Sequence, residues 1–486
     1  MRQHQTTILS TALAVAGAAP AFATINAAGD VNPSPPVAGQ GVVVGDTGIG
    51  TLTIDAGSVF STGTTNNDQS VTIGAQSTGD GTLLVDGIGT SLETRFLRVG
   101  VLGSASFTAS GGAFISVTND FSIRGNNTAT VTGTGTIFEA GDSIFLNGST
   151  GATLNVQDNA TFRIVPPTDD RRFFIGSNPG EKGIVNVTSG ATLEFLSDGT
   201  DPFRTFIGFQ DGATGELNIS SGGQVTLGRT DVGTESLTAN GVINVDGAGS
   251  TLNIVTTVTG DGNGEGDIRL GSNGGGTAVL NVTNGATVNV EDDIFVALGD
   301  DSNAAFNALG GTINIGDGLF VGYNSTGPLT VGATALITAN RFVVTNTSQN
   351  PNITPGHAAV TFNLSEDTAG NPLNGLIDTT DFSFRDGTSE LILDLDSAAT
   401  FDIGDVFVLV DYDTLGANSF GAPDQFFDNV GDDQVISFDG VSFLIDYDDA
   451  NFGGTALTAT VIPTPAAAML LLGVGVVGGR RRRTQI

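Results

Sequence analysis

The chain has no cysteine and few basic side chains. Without cysteine it can form no disulfide bond, thiolate nucleophile or cysteine-ligated metal site. Only 17 Lys and Arg residues stand against 51 Asp and Glu residues, which gives a net charge of −34 at pH 7. Because phosphate binding needs clustered basic side chains, this balance excludes nucleic acid as a partner.

Histidine and lysine, which often act in acid–base catalysis, are also scarce. After residue 23 the chain contains one histidine, His357, and one lysine, Lys182. Histidine is the most frequent general acid or base near neutral pH, so its scarcity removes the usual catalytic group. We therefore predict that the chain is not an enzyme.

Glycine is abundant, at 71 residues, and it separates short apolar runs. Residues 276–299, which read GTAVLNVTNGATVNVEDDIFVALG, show the pattern clearly. Two runs in which apolar and polar residues alternate are followed by a third apolar run. Such alternation is typical of strands with one buried face.

Related units begin at residues 151, 183, 215 and 241, and a glycine closes each unit roughly every 27 residues, a period that indicates a solenoid. The closing glycines are Gly74, Gly100, Gly125, Gly148, Gly176, Gly208, Gly233, Gly271, Gly299 and Gly322. The sequence therefore predicts an all-β chain, a right-handed parallel β-helix of about ten coils over residues 41–350. The predicted inward side chains are Val185, Val187, Leu217, Ile219, Leu280 and Val282.

The segments before the repeats have different compositions. Residues 1–23 combine Arg2, an apolar stretch and the small residues Ala21 and Ala23, which is the pattern of a secretory signal peptide. Residues 24–40 contain a proline cluster that is unsuitable for a sheet interior, so we expect a lead-in linker. The mature chain is therefore expected to be exported.

After the repeats, a cluster of proline and glycine at residues 350–356 breaks the pattern. Residues 355–460 are rich in aspartate and in strand-like apolar runs, and we expect an acidic β-rich cap there. Residues 461–486 contain Pro463, Thr464 and Pro465, an apolar run at 466–479, and then an arginine cluster. This order predicts a short transmembrane helix whose arginines stay in the cytoplasm.

The C-terminal pattern resembles the PEP-CTERM sorting signal of bacterial surface proteins, in a Pro-Thr-Pro variant. The resemblance implies sorting by an exosortase-type membrane enzyme, a transient inner-membrane anchor and delivery to the cell surface or extracellular matrix. The sorting and processing residues would be Pro463, Thr464, Pro465, Arg480, Arg481, Arg482 and Arg483. The repeats separately resemble autotransporter-passenger and pectin-lyase-like β-helices.

A polar residue recurs inside the first strand of many units. If the coils stack in register, these side chains form an outward ladder that stabilises the stack, as asparagine ladders do. A flat polar ladder could alternatively bind an extracellular polysaccharide. The predicted members are Thr53, Thr132, Asn155, Asn186, Asn218, Asn244 and Asn281.

We expect that the chain has no cofactor, and two acidic stretches are the candidates for a calcium site. Asp261, Asn263 and Glu265 place oxygen ligands at alternate positions, as in the first half of a calcium loop. Asp394 and Asp396 belong to a cap without nearby basic residues. In both places a solvated acidic surface is the alternative.

The sequence favours a structural or adhesive cell-surface role, and it leaves an enzymatic alternative open. β-Helix polysaccharide lyases place basic side chains beside a carboxylate on one face of the solenoid, and hydrolases use paired carboxylates. The candidates for such a site are Asp169, Asp170, Arg171, Arg172 and Arg204. Their convergence in one groove would favour the lyase or hydrolase, whereas an ordinary charged turn is the competing interpretation.

Overall fold

The structure is a computed structural model that describes residues 24–165, 171–196, 203–256, 266–272, 274, 276–323, 325–344, 357–384, 388–415, 427–448 and 455–463. These residues form strands, bridges and turns, and no helix. Accordingly, the described part of the chain offers no apolar helix of membrane-spanning length. The predicted signal peptide and the predicted membrane segment both lie outside the described residues.

Strands before and within the first half of the repeats are short. They are β1 Thr24–Gly29, β2 Val31–Asn32, β3 Val42–Val44, β4 Ile49–Asp55, β5 Val59–Gly63, β6 Ser70–Ile73, β7 Asp80–Asp86, β8 Ser91–Thr94, β9 Phe96–Val99, β10 Ser104–Ser110, β11 Phe114–Val117, β12 Phe121–Arg124, β13 Thr128–Thr132, β14 Ile137–Ala140, β15 Ile144–Asn147, β16 Ala152–Gln157, β17 Thr161–Ile164, β18 Arg171–Ile175, β19 Lys182–Val187, β20 Thr192–Phe195 and β21 Phe203–Ile207.

Later strands keep similar lengths until β34, and several of those from β35 onward are longer. They are β22 Thr214–Ser220, β23 Gln224–Leu227, β24 Arg229–Val232, β25 Asn240–Asp246, β26 Thr251–Ile254, β27 Ile268–Leu270, β28 Thr277–Thr283, β29 Ala286–Val290, β30 Ile294–Val296, β31 Asn303–Ala308, β32 Gly311–Ile315, β33 Gly318–Val321, β34 Gly327–Val331, β35 Ala335–Val344, β36 His357–Glu366, β37 Pro372–Asn374, β38 Leu376–Phe384, β39 Thr388–Leu395, β40 Val406–Leu415, β41 Gln434–Phe438, β42 Val441–Asp446 and β43 Ala456–Ile462.

Every third strand pairs in parallel with its counterpart in the next coil, so the strands form three ladders. The first ladder contains β4, β7, β10, β13, β16, β19, β22, β25, β28, β31, β34, β36 and β39. The second contains β5, β8, β11, β14, β17, β20, β23, β26, β29, β32, the first parts of β35 and β38, and β40. The third contains β3, β6, β9, β12, β15, β18, β21, β24, β27, β30, β33, the second parts of β35 and β38, and the end of β40. The chain is a β-solenoid of about 12 turns, somewhat more than the ten we expected.

Alternation along each strand places one set of side chains in a continuous core. Val185 and Val187 on β19 lie beside Leu217 and Ile219 on β22, and all four are fully buried, as predicted. Phenylalanines add stacked rings to this core, for example Phe138 and Phe162, whose centroids are 4.7 Å apart. Because each coil covers the apolar edge of the next, the core is continuous along the stack.

The closing glycines fit a turn in which no side chain can be accommodated. Gly208 follows the third-ladder strand β21 and has a φ of 70°, a conformation that disfavours a residue with a Cβ atom. A Cβ atom at Gly208 would also lie 2.1 Å from the carbonyl oxygen of Asn240 in the next coil. The glycine therefore permits close approach of successive coils at this corner.

The N-terminal end of the stack is covered by two short strands and a loop. At the N-terminal end, β1 pairs antiparallel with β4 and β2 pairs antiparallel with β3. Over β5, the backbone N–H of Gly39 donates to the carbonyl of Ser61 at 2.9 Å. All three ladders are therefore covered at this end, which restricts edge-to-edge association.

Contrary to our expectation, the parallel stack does not stop at residue 350. β36 pairs in parallel with β34, β38 with β35, and β39 with β36. Before β40 the short strand β37 pairs antiparallel with β36. After β40 the strands are antiparallel throughout: β40 pairs with β43, β43 with β42, and β42 with β41. At the last first-ladder strand, the Asn429 amide bonds both backbone groups of Leu391, at 2.9 and 2.8 Å. The acidic region thus continues the solenoid before it closes it.

Candidate functional site

Outward-facing asparagines form a column along the middle of the first ladder of strands. We call this column of side chains the asparagine ladder. Each amide donates to the Oδ1 atom of the preceding coil: Asn186 to Asn155 at 2.9 Å, Asn218 to Asn186 at 3.0 Å, and Asn244 to Asn218 at 2.8 Å. Asn281 continues to Asn244 at 2.8 Å, and Asn307 continues to Asn281 at 2.9 Å. The five bonds follow one direction along the stack, and every member is only partly buried.

The pairing of the strands shows that one predicted member of the asparagine ladder is wrong, and further asparagines form a ladder that was not predicted. Thr130, not Thr132, is the partner of Asn155, and Thr132 instead faces Gln157. Thr53 occupies the same position on β4, and the residue that pairs with it in the next coil is Leu84. Sequence reasoning also missed a second asparagine ladder on the neighbouring ladder of strands, where Asn289 donates to Asn253 and Asn314 to Asn289, both at 2.8 Å.

Arginines form a column on the outward side of the third ladder. Arg172 on β18 is the register partner of Arg204 on β21, and Arg204 is the partner of Arg229 on β24. Two of these positions were predicted as site candidates. Arg171 begins β18, and its side chain is not described, while Asp169 and Asp170 lie outside the described residues.

The last arginine of the column belongs to a buried ion pair. Arg229 Nε lies 3.1 Å from Asp231 Oδ2, and the two side chains are 7% and 1% exposed. Ser272 Oγ donates to Asp231 Oδ1 at 3.0 Å and is itself buried. A substrate cannot reach a pair enclosed to this degree, so its role is structural. Breaking a buried pair leaves an uncompensated charge and is strongly destabilising.

Three carboxylates meet at the corner between the second and third ladders. Asp267, Asp292 and Asp293 place carboxylate oxygens within 4.8 Å of one another. Arg269 pairs with Asp267, and Arg341 Nη2 lies 3.9 Å from Asp293 Oδ1. Burial, together with repulsion from Asp292, Asp267 and Asp317, raises the pKa of Asp293 to about 7. This corner is therefore a place where a proton is held near neutral pH.

The predicted metal ligands are not brought together in the described part of the chain. Asp261, Asn263 and Glu265 lie outside the described residues. Asp394 is exposed on β39, and Asp396 is exposed just after this strand ends, where it accepts a hydrogen bond from Ser365 at 3.2 Å. A different acidic group, Asp432, Asp433 and Asp446, forms within the closing strands, where its oxygens also lie within 4.8 Å of one another.

The histidine and the lysine that follow residue 23 also lie apart from the arginine column. His357 begins β36 on the first ladder, and its Nε2 atom lies 3.1 Å from Glu390 Oε2. Lys182 begins β19, also on the first ladder, and its Nζ atom lies 2.6 Å from Glu216 Oε1. Both pairs bridge neighbouring coils on the outside of the solenoid.

Two surface cavities lie along the corner that joins the third ladder to the first. One has a volume of about 350 Å³ and is lined in part by Leu102, Arg124 and Glu181. The other, of about 220 Å³, is lined by Pro179, Phe209, Gln210, Asp211 and Glu235. Both include residues of the turn at 178–181, so they are neighbours on one row of turns, which we call the corner groove.

Aromatic rings support this groove from the third ladder. Phe145, Phe174 and Phe206 stack on the outward side of successive coils, with centroid distances of 5.3 Å. Phe209, in the turn that follows, packs against Phe206 at 4.8 Å and Phe174 at 5.4 Å. Sequence reasoning did not find this column, although phenylalanine at 145, 174 and 206 precedes each closing glycine by two or three residues.

The fold and these surfaces define a β-solenoid with outward polar ladders and a lined corner groove. Comparisons with protein-family models, curated proteins and solved structures find no match to this chain.

Proposed function

We propose that this chain is a non-enzymatic, exported solenoid with a structural or adhesive role at the cell surface or in the extracellular matrix. The observation that carries the proposal is the unbroken stack, in which all three ladders continue through about 12 turns. A rod of this kind holds its side surfaces at fixed spacing, because each coil is bonded to the next along three strands. We take the coils to be right-handed, as in the β-helices that the repeats resemble.

The charged groups also support a structural role. Arg163 bridges three coils of the second ladder, with its Nε atom 2.6 Å from Glu194 Oε1 and its Nη1 atom 3.7 Å from Glu139 Oε1. Arg229 and Arg269 are likewise engaged by Asp231 and Asp267. Arg163 thus connects coils and Arg229 lies within a buried pair, and both arrangements are expected of a scaffold.

The alternative is a polysaccharide lyase or hydrolase on the same scaffold. It is favoured by the register of Arg172 with Arg204, which brings two predicted site residues onto one face. The two proposals separate when the full chain is incubated with a panel of acidic and neutral polysaccharides and both binding and cleavage are scored. Binding of a polysaccharide without the appearance of new polysaccharide ends supports the structural or adhesive role. Cleavage that Arg204→Ala abolishes would establish the enzyme instead.

We further propose that the C-terminal residues are a sorting signal, cut by an exosortase-type enzyme after a transient stay in the membrane. The support is the sequence order of Pro463, Thr464, Pro465, an apolar run and four arginines. Protein extracted from the cell surface should then lack the arginine cluster. Mass spectrometry that recovers Arg483 still joined to residue 466 in the mature protein would show a permanent anchor.

A further inference from the structure

The corner groove is built from stacked turns, so its shape is fixed by the backbone. Gly180 N–H donates to the carbonyl of Asp211 at 2.9 Å, and Phe209 N–H donates to the carbonyl of Gly176 at 2.9 Å. Thr234 N–H continues to the carbonyl of Gly208 at 3.1 Å. Because each turn is bonded to the one below it, the groove is formed before any ligand arrives, which lowers the entropic cost of binding.

The length of the groove suits an extended ligand. Its lining residues come from six successive coils, from Leu102 at one end to Glu235 at the other. With neighbouring strands about 4.8 Å apart, five intervals span roughly 24 Å. A single small molecule would fill only one of the two cavities, whereas a linear polymer could occupy both.

The residues that line the corner groove provide flat apolar surfaces together with carboxylate and amide groups. Phe209 and Pro179 provide flat apolar surfaces, and Leu102 is 68% exposed at the far end. Hydrogen-bonding groups lie beside these apolar surfaces, on Gln210, Asp211 and Glu235. A sugar ring has the complementary surface, because its C–H faces pack on aromatic rings and its hydroxyl groups donate to carboxylates and amides.

Charge narrows the class of sugar. Among the described residues, the cavity around Phe209 is lined by two carboxylates and by no basic side chain. In the other cavity Arg124 is accompanied by Glu181, and the whole chain carries a net charge of −34. A polymer of uronic acids or sulfated sugars would be repelled there, since like charges brought together in a partly desolvated site are unfavourable. Uncharged sugar units meet no such repulsion.

We infer that the corner groove binds a strand of neutral polysaccharide, with a sugar ring packed on Phe209 and hydroxyl groups bonded to Gln210, Asp211 and Glu235. This inference rests on the proposed adhesive role and names the ligand class and the surface that would serve it. The asparagine ladder is the competing surface, because it too is long, flat and polar.

The test is retention of the full chain on immobilised neutral polysaccharides (cellulose, xylan, mannan, curdlan and chitin), with polygalacturonate as the acidic comparison. Phe209→Leu keeps apolar contact with Phe174 and Phe206 but removes the flat ring, and Gln210→Ala removes one polar contact. Ile88→Ala is the matched control, because Ile88 is 87% exposed at a turn between the first and second ladders. Circular dichroism and melting curves of each variant confirm that it is folded.

We expect retention on at least one neutral polysaccharide and none on polygalacturonate. Phe209→Leu should weaken binding about tenfold and Gln210→Ala roughly threefold, since an aromatic plate contributes more than one partly solvated hydrogen bond. Ile88→Ala should bind as the unaltered chain does. Retention on none of the neutral polysaccharides, or equal binding by the Phe209→Leu chain, would overturn the inference.

The adhesive role has its own readout in the same experiment. Neutral-polysaccharide binding that survives both groove variants but is lost when Asn218→Ala is introduced would move the site to the asparagine ladder and leave the adhesive role intact. Cleavage of the retained polysaccharide would contradict the non-enzymatic role, whichever surface binds it.

Discussion

Replacing Asp293 with asparagine should stabilise the solenoid at neutral and alkaline pH. The carboxylate lies at the acidic corner with Asp267 and Asp292, its side chain is only 15% exposed, and its pKa is raised to about 7. In the unfolded chain the same group would have the ordinary value of 3.8. Folding therefore takes up a proton between these two pH values.

The sign and size of the effect follow from that difference. A raised pKa in the folded chain contributes stability that is fully present below pH 3.8 and is lost as the pH rises through 7. The difference between 3.8 and about 7 corresponds to a loss of at most about 4 kcal/mol, which is complete once the pH is well above 7. Asparagine has no such loss, and its Oδ1 atom can still accept the 2.7 Å bond from Gly318 N–H.

The assay is thermal unfolding of the full chain at several values between pH 4 and pH 9, at constant ionic strength. The Asp293→Asn chain should melt close to the unaltered chain at pH 4 and clearly above it at pH 8. Asp394→Asn removes the same charge from an exposed position and controls for net charge. If Asp293→Asn lowers the melting temperature at pH 8, or if Asp394→Asn raises it equally, the reasoning about this corner is wrong.

Further predictions concern the core, the ladder and the closing strands. Leu217→Asp should destabilise the chain by several kcal/mol, because it buries an unpaired charge, whereas Gln224→Asp on an exposed outward position should change the melting temperature little. Asn218→Ala removes two ladder bonds and should cost about 1 to 2 kcal/mol, roughly twice the effect of Asn155→Ala, which removes one. The expected preference for divalent cations stays a prediction: millimolar calcium should raise the melting temperature relative to sodium at matched ionic strength, and Asp432→Asn should reduce that gain.

The alternating first and second strands could be predicted from the sequence, because their period and their apolar positions are local. The register between neighbouring strands does not follow from this local pattern. Thr128, Thr130 and Thr132 occupy alternate positions of β13, so composition alone cannot choose the one that faces Asn155. Only pairing with the neighbouring coil selects Thr130.

The third ladder was harder to predict for a different reason. Segments of unequal length precede β18, β21 and β27, so the spacing between repeats does not align their residues. The column of Arg172, Arg204 and Arg229 and the phenylalanine column beside it depend on that alignment. Likewise, the prolines near residue 350 interrupt the local pattern, but the pairing of β36 with β34 joins residues that are distant in the sequence.

The stacking of coils also determines how the molecule would respond to mechanical force. Each coil is bonded only to its two neighbours, so tension applied through the chain ends would detach terminal coils one at a time rather than open the whole core. A coil of roughly 27 residues adds about 4.8 Å to the folded rod but about 90 Å when drawn out. A surface tether built in this way would lengthen stepwise under load, dissipate energy at each step, and keep the remaining coils intact.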